Sequence, residues 1–88
     1  MPSLTSLVTS RQWATNYSLS HSNSLWCFFF DGVIGVFDLE LNHLRDMWFS
    51  DIRGVQSAVD VGDEAVVAAK TGLFMVSYAG KIAGLYII

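Results

Sequence analysis

Residues 25–39 read LWCFFFDGVIGVFDL, and this stretch predicts a β-hairpin. Residues 25–30 form an apolar run rich in aromatic side chains, which is typical of a buried strand. Asp31 and Gly32 follow, and a glycine accepts the positive φ that a tight hairpin turn requires. Residues 33–39 then return as a second apolar segment. The sequence therefore predicts two antiparallel strands that are joined by a turn at Asp31 and Gly32.

The same pattern recurs later in the chain. Displacing the sequence by 40 positions places Gly72 on Gly32 and Val76 on Val36. Both copies then read as polar turn, apolar strand, glycine turn and apolar strand. A period of about 40–45 residues is typical of four-stranded propeller blades. A second hairpin, with its turn at Thr71 and Gly72, is therefore expected.

Short apolar segments predict about eight strands along the chain. They lie at residues 13–20, 25–30, 33–39, 46–50, 55–61, 65–69, 73–79 and 82–88. This even spacing indicates an all-β fold, with two four-stranded antiparallel blade-like sheets as part of a β-propeller. A small eight-stranded antiparallel barrel, which could bind a small apolar ligand, is the alternative. Residues 82–88 are apolar on both faces, which favours stacked sheets over a barrel.

A helical alternative exists for two stretches. Leu41, Leu44 and Trp48 stand at helical spacing within residues 39–49, and residues 63–69 contain good helix formers. Neither stretch ends in a convincing helix stop signal, and the repeat pattern favours strands.

The segment DGVIGVFDL, residues 31–39, resembles the end of a WD repeat. Phe37 and Asp38 stand where such repeats carry Trp-Asp, while the second copy has Ser77 and Tyr78 there. The Gly-His pair that often precedes the innermost strand is missing, because Gly54 is followed by Val. The resemblance covers roughly residues 17–88. It implies propeller blades that act as a non-catalytic protein–protein interaction scaffold.

The repeats divide the chain into three parts. Residues 1–12 form an N-terminal segment that is either disordered or an outer strand, residues 13–50 form the first blade-like repeat, and residues 51–88 form the second. Closed propellers need about four to eight blades. We therefore expect the two blades to complete or join a larger assembly, with a protein partner or with other copies of the chain, unless the chain is a fragment of a longer propeller protein.

Composition and charge exclude several function classes. The net charge is −3 and no basic patch occurs, so nucleic-acid binding is not expected. Residues 65–88 are apolar enough to suggest a membrane span, but Lys70 and Lys81 lie inside the segment and argue against one. The single cysteine, Cys27, permits no intrachain disulfide, which fits an intracellular protein of the cytoplasm or nucleus.

No residue pattern indicates catalysis, a metal or a cofactor. His21 and His43 have no further histidine or cysteine at a metal-ligand spacing. Asp38, His43 and Ser50 could be combined as a catalytic triad, but such trios occur by chance in serine-rich β-proteins, and a triad is recognised by geometry. We therefore predict that the chain is not an enzyme and carries no cofactor.

Five residues are candidates for a protein interface: Trp13, Trp48, Leu85, Tyr86 and Ile87. Trp and Tyr are enriched at binding hot spots, and Trp13 lies in a polar stretch. Trp26 and Trp48 are expected to pack between blades or in the core. The other three candidates belong to the final segment, which carries neither charge nor proline after Lys81. Natural edge strands are normally blunted by charge, proline or a bulge, so this segment is expected to pair with another polypeptide.

Overall fold

The computed structural model describes residues 15–88, and that part of the chain consists of eight β-strands. They are β1 (Thr15–His21), β2 (Ser24–Phe29), β3 (Val33–Asp38), β4 (His43–Phe49), β5 (Val55–Asp60), β6 (Glu64–Ala69), β7 (Gly72–Ser77) and β8 (Ile82–Ile87). The predicted all-β class is confirmed. The predicted N-terminal segment, residues 1–12, lies outside the described residues.

The strands form two open antiparallel sheets in which each strand pairs with its sequence neighbour. The first sheet has the order β1-β2-β3-β4 and the second has the order β5-β6-β7-β8. Neither sheet closes on itself, so the alternative of a single eight-stranded barrel is wrong. The helical alternative is also wrong, because residues 43–49 pair with β3 and residues 64–69 pair with both β5 and β7.

Both predicted hairpins form, but their loops differ by one residue. In the first hairpin, residues 30–32 connect β2 to β3, and Gly32 has a φ of +91°. A side chain there would also run into the carbonyl oxygen of Ser50, so only glycine fits. In the second hairpin, Lys70 and Thr71 alone connect β6 to β7, and Gly72 is already the first residue of β7.

This difference in loop length corrects the offset between the repeats. Trp26 corresponds to Val66, 40 residues later, but their partners Val36 and Met75 are 39 residues apart. Phe37 and Asp38 therefore correspond to Val76 and Ser77, not to the pair at residues 77 and 78 that the constant offset gives. The repeat itself extends to irregularities: β1 and β5 each contain a bulge, at Asn16 and at Gln56.

The two sheets pack head to tail. We define the front face of the first sheet as the face that meets the second sheet; it carries large side chains: Tyr17, Leu19, Trp26, Phe28, Ile34, Val36 and Trp48. The opposing back face of the second sheet carries mainly small ones: Val55, Ala58, Ala65, Val67, Ala69, Phe74 and Val76. Because Trp26 corresponds to Val66, which points away from the first sheet, equivalent faces of the two sheets point in the same direction.

The packed faces form the main hydrophobic core, and the sheets approach each other most closely along β1 and β5. Each large apolar side chain that is fully buried there contributes about 1.5–3 kcal/mol. A second cluster is buried on the back face of the first sheet: Cys27, Phe29, Val33, Phe37 and Leu44. The first sheet therefore has buried residues on both faces.

Candidate functional site

A polar cleft of about 330 Å³ lies at one end of the interface between the sheets. It is formed where the β1–β2 turn, the end of β3 and the start of β4 meet the β7–β8 turn. Its lining includes His21, Trp26, Asp38, Arg45 and Tyr78. Polar and aromatic residues of these types occur in catalytic sites. Whether they are available for catalysis here depends on the contacts that each of them makes within the chain.

An aromatic stack joins the two sheets at this cleft. The rings of His21 and Tyr78 lie parallel with their centroids 3.5 Å apart. His21 Nδ1 lies 3.7 Å from Asp60 Oδ2 across the sheet interface. Burial, and then the neighbouring Asp60 carboxylate, raise the pKa of Tyr78 to about 12. The phenol is therefore neutral at physiological pH, and the stack serves to hold the sheets together.

Two charged groups of the cleft, Asp38 and Arg45, are engaged within the chain. Asp38 Oδ1 accepts hydrogen bonds from the backbone N–H groups of Glu40 and Leu41, at 2.9 and 3.0 Å. The bond from Leu41 contributes most to lowering the pKa of the Asp38 carboxyl below its usual value. Arg45 donates from Nη1 to Ser24 Oγ at 3.1 Å. Asp38 therefore closes the β3–β4 turn, and Arg45 ties β4 to the start of β2.

Trp26 forms the floor of the cleft and is 1% exposed. The indole rings of Trp26 and Trp48 have centroids 5.2 Å apart, and the Tyr78 ring meets Trp26 edge-on at the same distance. Trp26 Nε1 finds no hydrogen-bond acceptor among residues 15–88. An unpaired buried N–H costs about 1–3 kcal/mol, so this indole is kept for its packing rather than for its hydrogen bond.

The conceivable triad residues do not meet. His43 lies opposite Asp38 at the start of β4, whereas Ser50 follows the far end of the same strand. Seven residue steps along the strand separate His43 from Ser50, a distance of about 23 Å. Ser50 Oγ is used locally, since it donates to the Gly32 carbonyl at 2.8 Å. Within residues 15–88, no group of three or more potential ligands from His, Cys, Asp and Glu is placed to hold a metal ion.

The predicted interface residues have different environments. Trp13 lies outside the described residues. Trp48 is half-buried and packs against Trp26, and Gly80 of the second sheet leaves room for its indole ring. Trp48 is therefore a packing residue between the sheets. Leu85, Tyr86 and Ile87 are 52%, 67% and 63% exposed.

The outer edges of the two sheets differ in charge. β4, the outer edge of the first sheet, carries Arg45 and Asp46, which form a salt bridge at 3.1 Å. β8, the outer edge of the second sheet, carries no charged residue and, among residues 15–88, pairs only with β7. It does contain a bulge at Leu85, because Tyr86 pairs with Leu73 while Gly84 pairs with Phe74. The edge is therefore partly blunted, contrary to the expectation from its composition.

The front face of the second sheet is a surface that the sequence did not single out. One row of paired residues crosses all four strands: Val59, Val66, Met75 and Ala83. A second row beside it consists of Ser57, Ala68, Leu73 and Tyr86. None of these eight residues is buried, although six of them are aliphatic. Burial alternates along β6 and β7 in the structure, and this alternation identifies the exposed face. The sequence does not show it, because both segments are apolar at nearly every position.

A groove of mixed polarity lies between the two outer edges, on the side of the second sheet's back face. It has a volume of about 290 Å³ and is lined by Phe49, Ser50, Asp51, Phe74, Ile82, Gly84 and Ile87. Phe49 is among the most exposed large side chains of the described residues.

Residues 15–88 contain no helix that is long and apolar enough to cross a membrane.

Comparison with known proteins finds no matching family model, no matching curated protein and no matching solved structure.

Proposed function

We propose that the chain is a non-catalytic protein–protein interaction scaffold, whose two sheets act as propeller-type blades that complete or join a larger assembly. The proposal carries with it an intracellular location, in the cytoplasm or nucleus, and the absence of a cofactor. The observation that supports it best is the exposed apolar surface formed by the front face of the second sheet and by β8. Contiguous apolar surface of this kind usually marks a site of interaction.

The head-to-tail arrangement supports a blade-like role. In this kind of packing the front of one unit meets the back of the next, so each added unit leaves one new front face open. The first sheet has its front face covered by the second sheet, and the second sheet has nothing on its own front face among residues 15–88. The close approach of β1 and β5 gives the pair a fan-like arrangement, as expected when sheets surround a common axis.

The polar cleft supports this function rather than a catalytic one. Its aromatic residues hold the sheets against each other, and Asp38 and Arg45 make hydrogen bonds that shape turns and strand ends. General acid–base chemistry requires a titratable group that can reach a substrate with a suitable pKa. Burial and Asp60 instead move the pKa of Tyr78 away from neutrality, to about 12.

The proposal is tested by placing charge on β8 and measuring how the full chain then associates. Replacing Leu85 and Ile87 by lysine, singly and together, places charge on the exposed edge. We expect the double variant to be more soluble and to lose recovery in a stoichiometric complex, as measured by light scattering after size-exclusion chromatography. Circular dichroism checks that each variant keeps its β-structure.

Leu41→Lys is the matched control. Leu41 is also apolar and 63% exposed, but it lies in the β3–β4 turn, away from β8. The control variant should behave like the unmodified chain. The proposal fails if solubility and association are both unchanged in the Leu85→Lys, Ile87→Lys double variant, or if Leu41→Lys alters them equally.

A further inference from the structure

We infer that residues 1–14 lie across the back face of the first sheet and cover its apolar cluster. We call this cluster the back cluster, and its members are Cys27, Phe29, Val33, Phe37 and Leu44. The inference does not depend on the proposed scaffold function. It goes beyond that function, because it assigns an occupant to a face that the packing of the two sheets leaves unexplained.

The back cluster is buried more deeply than an uncovered sheet face allows. Phe29 and Phe37 are both 0% exposed, although they lie on the two middle strands of an open sheet. The front face of the second sheet provides the comparison, because no residue among 15–88 packs in front of it. There Leu73 is 36% exposed and Met75 is only half-buried. A phenylalanine side chain loses all of its exposed surface only when atoms lie in front of it as well as beside it.

Apolar packing from the described residues does not supply this cover. The second sheet packs against the opposite face of the first sheet, around Trp26 and Phe28. Among residues 15–88, the one further apolar residue that packs against the back cluster is Leu25, which belongs to β2 itself. The part of the chain that remains is residues 1–14, which lead directly into β1, an edge strand of the same sheet.

The extent of the cover fits a single segment rather than another sheet. On the same face, Ser18 of β1 and Phe49 of β4 are exposed, although they pair with the buried residues Cys27 and Val33. The cover is therefore narrow and lies over the middle strands. Fourteen extended residues reach at most about 46–50 Å, whereas four strands span about 14–19 Å. The segment is thus long enough to turn back from β1 and cross β2 and β3.

The composition of residues 1–14 suits an apolar face. The segment contains Leu4, Leu7, Val8 and Trp13, and its only charged side chain is that of Arg11. Burying a charge without a partner is costly, so a segment almost free of charge can be desolvated on the back cluster at little cost.

This cover has a consequence for the proposed function. In head-to-tail packing, the front of one unit meets the back of the next. With residues 1–14 on the back face of the first sheet, a further unit can be received only by the front face of the second sheet. The N-terminal segment then acts as a cap that makes assembly one-sided.

Cys27 reports on the cover, because it belongs to the back cluster and is the only cysteine of the chain. The rate at which iodoacetamide alkylates Cys27 in the native full chain measures how often the back cluster becomes accessible. Leu7→Asp and Val8→Asp are combined in one variant, since adjacent residues of an extended segment point to opposite sides and one must face the sheet. We expect alkylation to become at least about tenfold faster, equivalent to about 1.4 kcal/mol, while circular dichroism shows unchanged β-structure.

The matched control combines Leu41→Asp and Val61→Asp. These changes add the same charge at turn residues that are 63% and 55% exposed, and they should leave the alkylation rate unchanged. The inference is overturned if the Leu7→Asp, Val8→Asp variant keeps both its β-structure and its slow alkylation, or if the control accelerates alkylation equally.

A crosslink provides the test if the charged variant does not fold. Leu4→Cys, Leu7→Cys and Val8→Cys each place a second thiol in the segment, and a disulfide requires Cα atoms within about 7 Å of each other. Mild oxidation should link at least one of these thiols to Cys27 within the monomer, as measured by mass spectrometry. If none of the three links faster than the control Leu41→Cys, the inference is wrong. These measurements involve no partner, so that result leaves the proposed function standing.

Discussion

The two sheets have the same strand order and corresponding bulges in β1 and β5, yet they bury different surfaces. The front face of the first sheet carries Trp26 and Phe28, and both are almost fully enclosed. The corresponding positions in the second sheet are Val66 and Ala68, and both remain partly exposed. The difference shows that the backbone pattern alone does not decide burial. For the two front faces, what decides it is whether the other sheet lies in front.

Side-chain size follows the same division. Large aromatic residues on the front of the first sheet press against alanine and valine on the back of the second. Large side chains facing small ones allow the layers to interdigitate at the density of a protein interior. The open front of the second sheet has no aromatic residue on its two middle strands. Its middle strands therefore carry smaller side chains than the middle strands on the front of the first sheet.

The largest expected effect comes from truncating the covered front face. Trp26→Ala removes an indole that contacts both Trp48 and Tyr78, and large aromatic truncations in a core cost about 3–5 kcal/mol. Urea denaturation should show a much lower midpoint, or no folded baseline, since a domain this small has little stability to lose.

Val66→Ala is the matched change at the corresponding position of the open face. A half-exposed valine loses little packing, so the free energy of unfolding should fall by less than about 1 kcal/mol. If Trp26→Ala and Val66→Ala lowered the free energy of unfolding of the isolated chain equally, both front faces would be covered in solution. That result would contradict the difference between the two sheets.

Much of the strand pattern could be predicted from the sequence, because alternating turns and apolar runs recur through the chain. The turns at Gly32 and at Thr71 were located correctly, and Val33–Asp38 was predicted within one residue. The start of β4 was predicted three residues too late, because Asn42 indicated a turn over residues 41–44. Its pairing with β3 overrides that local preference.

The exposed front face could not be predicted in the same way. Val66 and Val67 are chemically identical neighbours, and only the packing of the first sheet makes one half-buried and the other fully buried. The same limitation applies to the aromatic stack, because His21 and Tyr78 are 57 residues apart and belong to different sheets. Neither residue belongs to a local motif. The interface candidates on β8 rest on the uncharged composition of residues 82–88. Leu85, Tyr86 and Ile87 are exposed in the structure, and their role at an interface stays a prediction.

The β3–β4 and β7–β8 turns offer a second comparison, with a smaller expected effect. Asp38 accepts two backbone N–H groups, whereas Ser77, at the corresponding position, accepts one, from Ala79 at 2.9 Å. Ser77→Ala should cost about 0.5–1.5 kcal/mol, the usual net value of one hydrogen bond. Asp38→Ala should cost more than Ser77→Ala. Chemical denaturation of both variants at neutral pH measures the difference, and an Asp38→Ala loss no larger than that of Ser77→Ala would contradict the reading of the turn.

Acidification should remove the extra stability that Asp38 gives to the β3–β4 turn and leave the β7–β8 turn unaffected. The pKa of Asp38 is lowered in the folded chain, chiefly by the hydrogen bond from the Leu41 N–H. Its stabilising effect is therefore fully present above the unfolded value of about 3.9 and is lost as the pH falls through the lower folded value. Asp38→Asn keeps an acceptor oxygen without a titrating charge. The stability difference between the unmodified chain and Asp38→Asn should shrink on acidification. The effect of Ser77→Ala should not depend on pH. A stability difference for Asp38→Asn that stays constant down to about pH 2 would contradict this prediction.

A small effect is also expected where the two sheets are most alike, at the buried back-face positions of their second strands. Cys27 and Val67 correspond at the 40-residue offset, and both are buried. Burial raises the pKa of the Cys27 thiol to about 11, so the group remains a neutral thiol that packs as a small apolar side chain. Cys27→Val and Val67→Cys are nearly volume-conserving exchanges, and each should change the free energy of unfolding by less than about 1.5 kcal/mol. Urea denaturation under reducing conditions measures both. A large loss of stability for Cys27→Val, with little change for Val67→Cys, would mean that the thiol has a role beyond packing. The two back faces would then correspond in their backbone but not in their side chains.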